Sequence, residues 1–95
     1  MAKFILTRAY EAIKNNRNKI NKDTTIHERM IKLREETIEA NKALYECMDD
    51  DKLSKKAVQE LIDVIIVCAV TIIHFGWDLM KELKENILHQ ETRKD

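Results

Sequence analysis

Apolar residues recur at helical spacing in four stretches of the chain, and polar breaks separate the stretches. Phe4, Ile5, Ala9, Ala12 and Ile13 fall at steps that predict a first helix over 3–15. Asn15, Asn16, Asn18 and Asn21 are poor in a helix interior and predict a polar linker. Asp23, Thr24 and Thr25 stand where an N-cap belongs, and Glu28, three residues after Thr25, completes a capping-box pattern. Ile26, Met30, Leu33, Thr37, Ala40 and Leu44 then form one apolar stripe, so a second helix is expected to about Met48. Asp49, Asp50 and Asp51 interrupt that stripe, and their charge suits the positive N-terminal end of a third helix, which follows from Leu53 to about Phe75. Gly76 supplies the next break, since glycine takes a left-handed, helix-ending conformation without steric cost. A fourth helix carries Leu79, Leu83 and Ile87 before the charged tail Glu91 to Asp95.

Composition narrows the class. The chain has 95 residues, one Gly and no Pro, which disfavours the tight turns of a sandwich or barrel and leaves one all-α domain over 1–95. The expected protomer has four helices around a central antiparallel pair, helices two and three. Val64 to Ile73 is apolar almost all round, so one partner helix cannot cover it, and a homo-oligomer is expected, a dimer or a dimer of dimers.

Seventeen Lys or Arg balance seventeen Asp or Glu, so no overall field draws nucleic acid or anionic lipid, and neither is expected as a partner. Leu61 to Trp77 contains Asp63 and His74 and is expected to fall short of the ~20 apolar residues of a membrane span. Met1 to Thr7, followed by Arg8, is too short an apolar stretch for a secretory signal, so a cytoplasmic protein with Cys47 and Cys68 reduced is expected.

The candidate chemistry lies in carboxylates. Helix two carries Glu35, Glu36 and Glu39; helix three carries Glu60 and Asp63. Acids three residues apart share a face. In an antiparallel hairpin, residues at equal height have numbers of constant sum, and Glu39 with Glu60, and Glu36 with Asp63, both give 99. That sum centres the turn on the Asp run, where composition also places it. Four carboxylates are thereby expected at one level. Val64, Val67, Val70 and Thr71 continue the side of helix three that bears Glu60 and Asp63, so these acids interrupt an apolar face and their burial needs a compensating cation. Carboxylates without Cys or an obvious His suit a hard ion, Mg2+ or Mn2+, and Mg2+ commonly serves phosphate substrates. The chemistry implied is phosphoryl or nucleotidyl cleavage by activated water.

The segment Leu33-Arg-Glu-Glu-Thr-Ile-Glu-Ala40, followed by Glu60-Leu-Ile-Asp-Val64 with 20 residues between Glu39 and Glu60, resembles the EExxE and ExxD motifs of the all-α NTP pyrophosphohydrolases, the superfamily of MazG, dimeric dUTPases and phosphoribosyl-ATP pyrophosphohydrolase. The resemblance extends more loosely over 24–88. It implies Mg2+-dependent hydrolysis of a nucleoside triphosphate to the monophosphate and pyrophosphate. Glu36, Glu39, Glu60 and Asp63 match the metal-binding positions, Glu35 the supporting first acid, and Glu36 or Glu39 the residue that prepares the attacking water. Of Lys81, Lys84, Asn86 and Arg93, the nearest equivalents of the family's phosphate contacts, Lys84 and Asn86 are carried over.

Plainer readings stand beside these. Lys32, Arg34 and Lys42 are spaced to pair with the acids of helix two, and Lys56 lies one turn before Glu60. Lys81 and Lys84 alternate with Glu82 and Glu85 as in a solvated, self-paired face. His74 reads as a hydrogen-bonded core or interface residue, His27 and His89 as surface, Trp77 as a gap filler between helices, and Tyr45, Met48 and Met80 as core or interface. The rival activity is that of a phosphoribosyl-ATP pyrophosphohydrolase, and the rival class is a non-catalytic helical interaction module.

Overall fold

The computed structural model describes residues 2–92, with side chains from residue 8 onward. It is all-helical: α1 (Ala2–Arg17), α2 (Ile26–Glu46), α3 (Lys55–His74) and α4 (Leu79–Thr92). The side chains of Phe4 and Ile5, and the end of the charged tail including Arg93, lie outside the described residues.

Each helix boundary has a local cause. Thr25 Oγ1 accepts from Glu28 N–H at 3.2 Å while the Glu28 carboxylate accepts from Thr25 N–H at 3.4 Å, closing the expected capping box on α2. The start of α3 falls two residues later than expected, because Ser54 Oγ accepts from Ala57 N–H at 3.1 Å and caps it there. α2 ends at Glu46, short of Met48, where the Cys47 N–H donates to Leu44 O at 2.9 Å and the Met48 N–H donates to Tyr45 O at 3.2 Å. Gly76 takes φ +89°, a left-handed conformation, and its N–H bonds to Ile73 O as α3 stops. Asp78 Oδ1 then accepts from Lys81 N–H at 3.1 Å at the entrance to α4.

α2 and α3 form the antiparallel centre; α1 and α4 each pack on α3, and α4 makes no contact with α2. Cross-pair contacts join residues whose numbers add to about 100, as an antiparallel hairpin centred near residue 50 requires: Thr24 with His74, Arg29 with Thr71, Glu46 with Lys56. Ala40, Ala43 and Ala57 are buried along this seam, and their small side chains let the two helices approach closely. Val67 and Val70 are the largest buried aliphatic residues among those described, each contributing about 1.5–3 kcal/mol by leaving water.

The core is thin, which corrects several expectations. The N-terminal half of the α2 stripe is uncovered, with Ile26 63% and Met30 62% exposed. Trp77, expected between helices, is exposed; Tyr45, Met48 and Met80, read as core or interface, are exposed on the protomer and so are not in its core. α3 is only partly buried, and by length and composition alone it is long and apolar enough to cross a membrane, despite Asp63 and His74. Both cysteines are free.

Candidate metal centre

The α2–α3 register brings Glu36 level with Asp63, one turn from Glu60, and one carboxylate oxygen from each lies within 4.8 Å of the other two. Glu36 and Glu60 are half-buried and Asp63 is exposed. Three like charges held this close repel unless a cation or a proton intervenes. Oxygen ligands at about 2.1 Å from an octahedral Mg2+ lie ~3.0 Å apart when adjacent and ~4.2 Å apart when opposite, so the three oxygens would have to draw together by up to roughly 1.8 Å, through side-chain rotation, to bind one ion directly. The donor set, all carboxylate oxygen, suits a hard divalent ion.

Glu39 does not join this group. Its expected place rested on equal height with Glu60 and on the match to the EExxE motif, whereas phase around the helix also decides. Glu36 lies one turn before the buried Ala40 and so points along the seam. Glu39 immediately precedes Ala40, is rotated about 100° from it and is exposed. Glu35 is out of phase in the same way and is exposed too. Three of the four expected acids therefore meet, and the fourth stands one turn away on the solvent side of α2.

The cations follow the spacing rules at Lys32 and depart from them at Lys56. Lys32 Nζ lies 3.0 Å from Glu36 Oε1, an i, i+4 pair that supplies the cluster with one internal counter-charge. Lys56 instead reaches Glu46 at 3.9 Å, across the turn, and leaves Glu60 unpaired with it. Lys84 and Asn86 are exposed on α4, which touches α3 but not α2, so the protomer does not bring them to Glu36. Lys84 borders a shallow surface depression with Asp78, Lys81 and Ile87.

Above the acids the pair is tied by a cation that the sequence reading passed over. Arg29 Nε donates to Thr71 Oγ1 at 2.9 Å and Nη2 donates to Val67 O at 3.4 Å. Its position seven residues before Glu36, in phase with it, was the available signal. His74 is hydrogen-bonded as expected: Nε2 lies 3.0 Å from Thr24 O and must carry the proton, since a carbonyl only accepts. Nδ1 is buried and makes no hydrogen bond.

In comparisons with known proteins, no family model, no curated protein and no solved structure matches the chain.

Proposed function

We propose that the chain is a Mg2+-dependent nucleoside triphosphate pyrophosphohydrolase of the all-α, MazG-like kind, cleaving a (d)NTP to the (d)NMP and pyrophosphate. The observation that carries this reading is the meeting of Glu36, Glu60 and Asp63, from two helices, within 4.8 Å. The motif-like stretches 33–40 and 60–64 support it by resemblance. Phosphoribosyl-ATP is the alternative substrate within the same chemistry.

In this reading Glu36, Glu60 and Asp63 would hold the ion, and Mg2+ bound there would supply charge neutralisation on the phosphate oxygens and make water more acidic. The proton of the attacking water passes to Glu36 or Glu39, the two acids that the resemblance offers for that role, Glu36 within the cluster and Glu39 one turn away on the solvent side of α2. The new bond forms from water oxygen to the α-phosphorus, the α–β bridging bond breaks, and pyrophosphate leaves with the bridging oxygen. Glu35 stays on the solvent side and supports by charge.

The test is pyrophosphate release from a panel of NTPs and dNTPs with Mg2+, comparing the native protein with Glu60→Gln/Asp63→Asn. Release by the native protein alone is expected. No release from any member, with the variant folded alike, rejects the assignment. The second reading, a non-catalytic interaction module, draws on the Lys32–Glu36 pair, which offsets part of the acidic charge without any metal.

A further inference from the structure

Three helices enclose a carbon-lined groove on the side of α3 turned away from the acidic cluster. Its floor is α3, where Ile65, Cys68 and Ile72 recur at i, i+3 and i+7, and its walls include Ile13 of α1 and Leu83 of α4. No charged residue lines it. Its volume is about 550 Å3, within the ~300–1,000 Å3 usual for small-molecule sites. From Val64 to Ile72 the floor runs about 12 Å, against ~15 Å for the hydrocarbon depth of one bilayer leaflet, so the groove is matched in length to a single acyl tail.

At one end the groove changes character. Met80 and Leu83 line both it and the surface depression that carries Lys81 and Lys84. Those lysines alternate with Glu82 and Glu85 in the sequence, yet neither forms an ion pair among the described residues. Asp78 is the one acid lining the depression, and its Oδ1 is already engaged by the Lys81 N–H at 3.1 Å. Hydrocarbon along the groove and unpaired ammonium groups at its end suit an amphiphile with one tail and a negative head.

We infer that the groove binds a free fatty acid, its tail along Ile65, Cys68 and Ile72 and its carboxylate at Lys81 and Lys84. The attraction of the head group is local, because the chain as a whole is formally neutral. A bilayer surface fits worse, since it meets a flat or convex face and this one is concave. Asp63 lies about 180° around α3 from Ile72, so the tail stays clear of the acidic cluster, and binding here is independent of the proposed catalysis.

Calorimetric titration of the full chain with submicellar dodecanoate tests this, beside octanoate and the neutral 1-dodecanol. Saturable uptake of one dodecanoate per chain is expected. A tail covered on one side loses about twofold per carbon, so octanoate is expected to bind roughly 16-fold more weakly. Lys81→Gln/Lys84→Gln, which alters only exposed side chains, should weaken dodecanoate about fivefold and leave 1-dodecanol unchanged. Ile65→Glu/Ile72→Glu should abolish uptake of both; if that variant unfolds, the lysine variant and the chain-length series decide. Absence of saturable uptake overturns the inference, whether the native chain sediments as a monomer or as an oligomer closed to dodecanoate. So does octanoate binding as tightly as dodecanoate, an equal effect of the lysine variant on acid and alcohol, or binding to phosphatidylglycerol vesicles without binding to free dodecanoate.

Discussion

Arg29 Nε donates to Thr71 Oγ1 at 2.9 Å, and the same hydroxyl donates to Val67 O at 2.7 Å, so one threonine links a cation on α2 to the backbone of α3. Arg29 is half-buried and reaches Val67 O as well, and it makes no ion pair among the described residues. Hydrogen bonds from a charged donor contribute about 1.5–3 kcal/mol when their acceptor is lost. Thr71→Val keeps the side-chain volume and removes that acceptor, while Arg29 retains Val67 O. A loss of about 1–2 kcal/mol in chemical denaturation is expected; an unchanged midpoint would show that water replaces the hydroxyl at no cost.

Two turn residues should respond with opposite sign. Gly76 has φ +89°, and a Cβ built there would meet nothing within 4 Å, so Gly76→Ala carries a purely backbone penalty of about 1–2 kcal/mol. Asp51 already occupies the left-handed region, at φ 52°. Asp51→Gly relieves that strain at the cost of a more flexible unfolded chain, and a net gain of up to ~1 kcal/mol is expected. Thermal melting of the two variants against the native protein checks both signs.

His74 offers a spectroscopic check on how the α2 cap meets the end of α3. Because Thr24 O can only accept, neutral His74 must be the Nε2–H tautomer. Side-chain nitrogen chemical shifts should report a protonated Nε2 and an unprotonated Nδ1. The opposite tautomer would mean that His74 does not hold Thr24, and the 24–25 cap would then depend on Glu28 alone.

The helices were legible because each rests on local chemistry: the stripe from Ile26 to Leu44, the Thr25/Glu28 box and Gly76 are all read within a few residues. The acidic centre was legible in height, through the constant sum that pairs Glu36 with Asp63. It was misread in phase, since Glu39 shares the height of Glu60 but turns about 100° away from the Ala40 seam. Arg29 escaped notice because its partners, Thr71 and Val67, lie some 40 residues away, and no local pattern marks such a bond. Trp77 reads as a gap filler between helices on hydrophobicity alone, yet it is exposed, as are Ile26 and Met30 at the start of the α2 stripe. That signal says a residue seeks cover, and it does not say whether the cover comes from its own chain.

The acidic cluster makes a prediction that needs no substrate. Glu36, Glu60 and Asp63 repel one another without a cation, so Asp63→Asn should raise the melting temperature in chelator while removing any rise on adding Mg2+ or Mn2+. For the native protein, saturation at about a hundred times the dissociation constant adds ~2.7 kcal/mol, a shift of about 11–22 °C at the ~4–8 °C per kcal/mol usual for this chain length. Lys32→Met separates the metal from the internal ion pair. Lys32 sits 3.0 Å from Glu36 and competes with any bound cation; an exposed i, i+4 pair is worth about 0.3–0.5 kcal/mol, so its removal should tighten Mn2+ binding about twofold by calorimetry. If Mg2+ and Mn2+ shift neither native nor Lys32→Met melting, the carboxylates are balanced by Lys32 and solvent, and they are not a metal centre.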